Sequence, residues 1–146
     1  MCYITLFSTT SSSDLSRHNS ALMSFSRSLP GIPEEKYLRH EFKWYLGSKS
    51  GCSCDFRHLH PASVSLGFGE PEDWFPEDPS ALEATRQVCC IVRGLVEAGE
   101  EVECIDAWSH GQKEADELAG ELEVSIGKIK DSEFRFFEAH RFAFSL

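Results

Sequence analysis

Two cysteines and two histidines lie within nine residues of one another in the chain. They are Cys52, Cys54, His58 and His60. Thiolates and imidazoles are ligands that Zn²⁺ prefers, and four of them in a tetrahedron complete a structural zinc site. This Cys-x-Cys-x3-His-x-His cluster is therefore the first candidate for a ligand-binding or metal-binding site. Zinc is the one cofactor that the sequence suggests.

Two features of the spacing argue against a closed zinc site. On an extended strand the side chains of Cys52 and Cys54 share a face about 6.5 to 7 Å apart, whereas two sulfurs on one zinc approach to about 3.8 Å. A bend at Gly51 would bring them closer. The common spacings Cys-x2-4-Cys and His-x3-5-His are absent. The alternatives are strand residues followed by surface histidines, or a redox pair in which Arg57 and His58 supply positive charge.

The rest of the candidate site belongs to a strand much later in the chain. If a functional site exists, we expect the hairpin of residues 42–56 and the loop 57–61 to meet the end of the strand 102–108. That meeting would bring the cluster toward Asp106 and Trp108, which complete the set of candidate ligand-binding residues. Thiol, imidazole and carboxylate groups together can supply a nucleophile and a base.

The chain has six cysteines, and nothing in the sequence marks it as secreted. In a reducing cytosol such residues are thiols or metal ligands. Cys89 lies in the apolar stripe of a predicted helix and Cys104 in an alternating strand, so both are predicted core residues. Cys2 is either a strand residue beside Ile4 or, if Met1 is removed, an N-terminal nucleophile.

Composition and charge exclude several classes of protein. The first residues lack the basic region of a signal peptide. No apolar run approaches the ~20 residues of a membrane span, so we expect a cytoplasmic protein without membrane partners. The formal net charge of −10 opposes contact with nucleic acid. Phosphate-binding loops and hydrolase motifs such as His-Glu-x-x-His are absent.

Hydrophobic periodicity predicts six elements in residues 1–108. Strands are expected at 2–9, 42–48, 52–56 and 102–108, and helices at 14–29 and 79–98. The second helix has the clearest boundaries, because Asp78 is a good N-cap, Pro79 suits the first helical position and Gly99 suits the stop. The resulting β-α-β-β-α-β order is that of the ferredoxin-like, split βαβ arrangement, an α+β fold.

The first helix is predicted from Asp14 as its N-cap and from residues at helical spacing. These residues are Leu15, His18, Leu22, Phe25, Ser26 and Leu29. Residues 109–120 are polar and are expected to form a linker. The tail, residues 121–146, is predicted to add a β-α-β extension with its helix at 132–139, either extending the main sheet or forming a small annex. We expect a single domain with residues 1–108 as its core.

Two hypotheses on function follow. The first is a small cytosolic module that binds a small molecule or a protein without catalysing a reaction, since no catalytic motif is present. The alternative is a zinc-dependent or thiol-dependent protein that uses the cysteine and histidine cluster. The patterns do not decide whether the protein is an enzyme, and they leave a homodimer open.

The net charge provides a first test. We expect no binding of duplex DNA at physiological salt, because a formal charge of −10 opposes the release of counterions from the phosphates. An electrophoretic mobility shift assay at micromolar protein is the measurement. A salt-sensitive shift would contradict this expectation and would point to a local basic patch of Lys130, Arg135 and Arg141.

Overall fold

The computed structural model describes residues 1–146, and its centre is a six-stranded mixed β-sheet. The strands are β1 Cys2–Thr9, β2 Met23–Ser26, β3 Phe42–Ser48, β4 His58–Leu59, β5 Val102–Ser109, β6 Gly120–Ser125, β7 Phe136–Phe137 and β8 His140–Ser145. One α-helix, α1, spans Pro79–Glu97. Three short 3-10 helices span Leu15–His18, Pro33–Tyr37 and Pro61–Leu66.

The strand order in the main sheet is β2-β3-β1-β5-β8-β6. Neighbouring strands are antiparallel except β8 and β6, which run parallel. The short strands β4 and β7 form a separate parallel pair. Strands β1 and β5 are paired from Cys2 opposite Ser109 to Thr9 opposite Val102, so these two strands form the middle of the sheet.

Helix α1 covers one face of the sheet. It begins as expected, because the Asp78 side chain accepts a hydrogen bond from the N–H of Ser80 and Pro79 follows the cap. The buried residues of the helix are Ala81, Ala84, Thr85, Val88, Cys89, Val92 and Val96. All of these except Ala81 and Thr85 share one core with aromatic side chains of the sheet such as Phe7 and Phe142. This helix is not apolar enough to cross a bilayer, and the structure contains no other candidate span.

A smaller apolar layer covers the opposite face of the sheet. Ile4, Leu6 and Ile105 form this layer with Leu38, which follows the second 3-10 helix. Covered on both faces, β1 is buried from Ile4 to the end of the strand. The chain therefore has two apolar layers with the sheet between them.

Two arginines that sequence reasoning placed in a basic patch are buried. The Arg135 side chain is 3% exposed and pairs with Glu77. The Arg141 side chain is 6% exposed and pairs with Glu103 and Glu121. Because carboxylates compensate both charges inside the protein, neither arginine presents its charge to a partner.

The predicted helix at 14–29 is wrong. Residues Leu15–His18 form only a short 3-10 turn, and Met23–Ser26 form β2. Asn19 joins the two, since its side chain accepts from the N–H of Phe25 and donates to the carbonyl of that residue. Pairing with β3 satisfies the backbone groups of β2, and the alternating burial of its side chains has the period of a strand.

The ferredoxin-like β-α-β-β-α-β class is therefore wrong as well, since α1 is the one α-helix. Residues 52–56, predicted as a strand, form turns and bends. The predicted helix at 132–139 is replaced by turns and the two residues of β7. The C-terminal β-α-β extension therefore lacks its helix, while its strands follow the first of the two alternatives and extend the main sheet, with β8 between β5 and β6. This position buries its side chains Phe142 and Phe144 in the main core.

Two neighbouring residues of similar size test the corrected element. Met23 is 1% exposed in β2, so we expect Met23→Ala to lower the free energy of unfolding by about 2 to 5 kcal/mol. Leu22 is only partly buried, so Leu22→Ala should have a smaller effect. Chemical denaturation of both variants is the measurement. A larger loss of stability in Leu22→Ala than in Met23→Ala would favour the predicted helix at 14–29, whose buried stripe includes Leu22 and excludes Met23.

Candidate functional site

The candidate site lies where β3 separates from the start of β1. The two strands are paired only from Thr5 opposite Leu46 onward. Alongside the residues of β1 that precede Thr5, the loop that follows β3 takes the place of β3. The N–H of Ser53 donates to the carbonyl of Tyr3 at 3.1 Å, and the N–H of Tyr3 donates to Sγ of Cys54 at 3.3 Å. This loop therefore holds both predicted cysteines against β1.

Buried polar contacts fix the shape of the loop. The Ser53 hydroxyl accepts from the N–H of Thr5 at 2.8 Å and donates to the carbonyl of Leu46 at 2.5 Å. Gly51 has a positive φ of 93°, which glycine adopts without strain. A Cβ at Gly47 would lie 3.2 Å from the Gly51 carbonyl oxygen. The tight turn that redirects the chain toward β1 therefore depends on these two glycines.

This loop brings three thiols together. The Sγ atoms of Cys2, Cys52 and Cys54 all lie within 4.8 Å of one another. The turns at 49–55 remove the 6.5 to 7 Å separation that a straight strand would impose on the two loop cysteines. We call these three residues the thiol cluster. No disulfide joins them.

The surroundings of the thiol cluster keep Cys54 protonated when no metal is bound. Desolvation, followed by a side-chain hydrogen bond with Cys52, raises the pKa of the Cys54 thiol to about 12. Cys52 and Cys2 raise this pKa further, because a negative charge on one of these sulfurs opposes ionisation of the next. A bound cation would reverse this effect, since a coordinating thiol loses its proton.

A second group of candidate residues lies next to the thiol cluster. Nδ1 of His58 is 2.8 Å from Oδ2 of Asp106, and Nε2 of His58 is 2.5 Å from the carbonyl oxygen of Ser53. The side chains of His58 and Asp106 are 4% and 0% exposed. The other carboxylate oxygen of Asp106 accepts from the hydroxyl of Thr5 at 3.0 Å.

These hydrogen bonds determine how many protons the side chains of His58 and Asp106 hold together. A carbonyl oxygen only accepts, so Nε2 of His58 carries a proton that it donates to Ser53. One further proton lies between Nδ1 and the carboxyl group of Asp106. Whichever partner holds that proton, the pair as a whole is neutral, which avoids the cost of an isolated buried charge.

Tyr3 connects the thiol cluster and the histidine pair. Its ring is stacked on His58 with centroids 4.0 Å apart and planes 1° apart, and it meets the edge of Trp108 at 5.0 Å. Burial and then the neighbouring Glu138 carboxylate hold the pKa of the Tyr3 phenol well above its usual value. The phenol is therefore a neutral hydrogen-bonding group at physiological pH.

The six candidate residues separate into three groups in the structure. Cys52 and Cys54 belong to the thiol cluster, and His58, Asp106 and Trp108 surround Tyr3. His60 lies apart from both groups. It is exposed, and its Nδ1 accepts from the N–H of Ala62 as the cap of a 3-10 helix.

This separation decides which chemistry the residues can perform. Both ring nitrogens of His58 are hydrogen-bonded to groups other than a thiol, so the structure does not assemble a pair of imidazole base and thiol nucleophile. The four ligands Cys52, Cys54, His58 and His60 do not converge either. The thiol cluster, in contrast, can bind a thiophilic metal ion.

Sequence reasoning did not identify Cys2 as a partner of the two loop cysteines. Its sequence signal is weak, because Cys2 lies on a strand 50 residues before Cys52. Sequence reasoning named Arg57 only as a source of positive charge for a redox pair, whereas the Arg57 side chain is 1% exposed and forms two hydrogen bonds with Glu77. The Arg57 guanidinium further donates to the carbonyl groups of Gly69 and Ser132, so it fixes the chain just before His58.

Two histidine–aspartate pairs with the same separation provide a matched test. Asp106 and His58 are buried at 2.8 Å, whereas Asp116 and His110 are 2.8 Å apart with side chains 50% and 39% exposed. We expect Asp106→Ala to lower the free energy of unfolding by about 3 to 5 kcal/mol, because it leaves Nδ1 of His58 and the hydroxyl of Thr5 buried without partners. Asp116→Ala should change it by less than about 1 kcal/mol. Equal effects in urea denaturation would show that the buried pair does not organise this region.

Comparison with known proteins assigns neither a family nor a function to this chain. No protein-family model, curated protein or solved structure matches this chain. The functional conclusion therefore rests on the geometry and chemistry of the residues described above.

Proposed function

We propose that the protein is a small binding module whose ligand is a thiophilic metal ion, with Zn²⁺ as the first candidate, held by the thiol cluster. The observation that carries this proposal is the convergence of the Cys2, Cys52 and Cys54 sulfur atoms to within 4.8 Å of one another. Sulfurs that share one tetrahedral zinc are about 3.8 Å apart. A contraction of about 1 Å of flexible cysteine side chains completes the site.

The backbone around the cluster supports ligation by thiolates. The N–H of Tyr3 donates to Sγ of Cys54, and a hydrogen bond from an amide favours the ionised form of its acceptor. Ser53, between the two loop cysteines, is fully buried and hydrogen-bonded to both neighbouring strands. The loop is therefore held in place before metal arrives, which lowers the entropic cost of binding.

Three sulfur ligands leave one position of a tetrahedral ion for water or an external ligand. This arrangement differs from the Cys-x-Cys-x3-His-x-His quartet expected from the sequence, because Cys2 takes part and the two histidines do not. The open position also leaves room for a fourth partner of the ion. Whether catalysis occurs there depends on that partner.

The redox alternative has less support. A redox-active cysteine needs a lowered pKa, because the thiolate is the nucleophile. The pKa of Cys54 is raised to about 12, by desolvation and then by its hydrogen bond with Cys52. Cys54 is thus a poor nucleophile at neutral pH, whereas a metal ion supplies the positive charge that ionises it.

Elemental analysis after equilibrium dialysis against zinc under reducing conditions tests the proposal. We expect about one zinc ion per wild-type chain, and a large loss of bound zinc in Cys2→Ser and in the double variant Cys52→Ser, Cys54→Ser. Cys90→Ser is the matched control, since Cys90 is also a free thiol but lies on the exposed side of α1. Zinc at 100 times its Kd should raise the stability of the wild type by about 2.7 kcal/mol.

Three outcomes would reject a thiol site. They are wild-type protein that binds no zinc, a Cys2→Ser variant that binds as much as the wild type, and equal losses in Cys2→Ser and Cys90→Ser. Thermal denaturation without metal checks that each variant is folded. Cobalt(II) provides a second readout, because ligation by thiolates produces sulfur-to-metal charge-transfer absorption that oxygen ligands do not.

The raised pKa of Cys54 predicts the direction of the pH dependence. A thiol whose pKa is about 12 is protonated at neutral pH, so zinc must displace its proton. Zinc affinity should therefore fall as the pH falls, and binding should release protons into a weakly buffered solution. Competition with a chromophoric chelator at neutral and mildly acidic pH measures the affinity. An affinity that does not change would show that thiols are not the ligands.

A further inference from the structure

A second concave site lies on the face of the sheet opposite α1. It is a cavity of about 150 Å³, and its apolar lining includes Ile105 and Ala107 of β5 with Leu118. The irregular segment between β5 and β6 forms one side, and the turn before β8 forms another. A cavity of this size accommodates a molecule comparable to benzene.

The polar lining of this cavity is almost entirely acidic. Its carboxylates belong to Glu34, Asp116, Glu117 and Glu138, and neither lysine nor arginine contributes to the lining. The one basic residue, His110, is already paired with Asp116 at 2.8 Å. The cavity therefore combines an apolar surface with strong negative potential, which favours a cation.

Glu34 provides an independent indication of a missing positive charge. It is 2% exposed, and its carboxylate accepts hydrogen bonds from the side-chain amide of Gln112 and from the N–H of Asp116. Neither donor carries a charge. Buried carboxylates elsewhere in this protein have a cationic or protonated partner, such as Arg57 for Glu77. A buried carboxylate without one is costly.

We propose that this cavity binds a small organic ammonium ion, a compact cation with apolar substituents. Its charge would compensate Glu34 and the carboxylate of Glu138, and its carbon atoms would contact Ile105 and Ala107. A divalent cation bound directly by the protein fits less well, since Mg²⁺ and Ca²⁺ require six or more oxygen ligands and much of this lining is apolar.

This site differs from the thiol cluster in its lining and in its chemistry. Its lining contains no cysteine, so its ligand does not depend on thiols. The test can therefore be carried out on metal-free protein, and its result is independent of the zinc experiment.

Choline and its neutral isostere 3,3-dimethylbutan-1-ol test the proposal, because the two have the same shape and differ in the charge of one atom. Titration followed by NMR of the wild-type protein gives both affinities. We expect choline to bind at least about tenfold more tightly, with the largest shifts at Ile105, Ala107 and Leu118. The proposal would be overturned if choline and its isostere bound with equal affinity or if choline did not bind at millimolar concentration. It would also be overturned if the largest chemical-shift changes lay outside the cavity.

Three variants locate the charge that recognises the cation. Glu34→Gln and Glu138→Gln each remove one wall carboxylate, and each should weaken choline binding by about tenfold or more. Glu114→Gln is the matched control, since Glu114 is exposed in the same segment and does not line the cavity. It should bind as the wild type does. An equal loss of choline affinity in all three variants would show non-specific attraction to the negative surface and would reject a site in the cavity.

Two further measurements keep the result unambiguous. If Glu34→Gln unfolds the segment around Gln112, seen as lost amide dispersion, the decision rests on Glu138→Gln, since Glu138 lines the cavity from the turn before β8. Addition of Mg²⁺ or Ca²⁺ at millimolar concentration should leave the choline affinity nearly unchanged. Full displacement of choline by either ion would identify the cavity as a divalent-cation site and reject the proposal.

Discussion

The carboxyl group of Asp106 is fully buried in β5, on the same face of the sheet as the core residue Cys104, and it requires a partner there. His58 provides that partner through Nδ1, and the proton on its opposite nitrogen is donated to the carbonyl of Ser53. Ser53 in turn binds the backbone of β1 on the side where β3 has turned away. The position of the two cysteines that flank Ser53 therefore depends on the neutralisation of one carboxyl group in β5.

Compensation of buried charge also stabilises the long segments that have no regular structure. The Arg57 guanidinium is bound to Glu77 and to the carbonyl groups of Ser132 and Phe134, and Arg135 binds the same carboxylate. Burial alone would raise the pKa of Glu77, but the two arginines hold it below its usual value. A charged network thus takes the place of the backbone pairing that a helix or a strand would supply.

The two proposed sites use the ends of the same central strands for different chemistry. The thiol cluster lies at the start of β1 and suits a soft ion, whereas the acidic cavity lies beside the end of β5 and suits an organic cation. Tyr3 is close to both, because its N–H donates to Cys54 and its phenol faces Glu138. The strong pairing of β1 with β5 makes this part of the sheet a rigid support for both sites.

Sequence by itself determined the elements whose signals are local. Helix α1 follows from its Asp78 cap and apolar stripe, and β1, β3 and β5 follow from alternation, since each pattern depends on residues a few positions apart. Residues 14–29 carry both helical and alternating patterns, and only pairing with β3 decides between them. The approach of Cys2 to Cys52, which the sequence did not indicate, was likewise decided by the tertiary structure, as was the contact of His58 with Asp106, which we expected only if a functional site exists. Such contacts join segments about 50 residues apart, and burial and strand pairing select them, not local propensity.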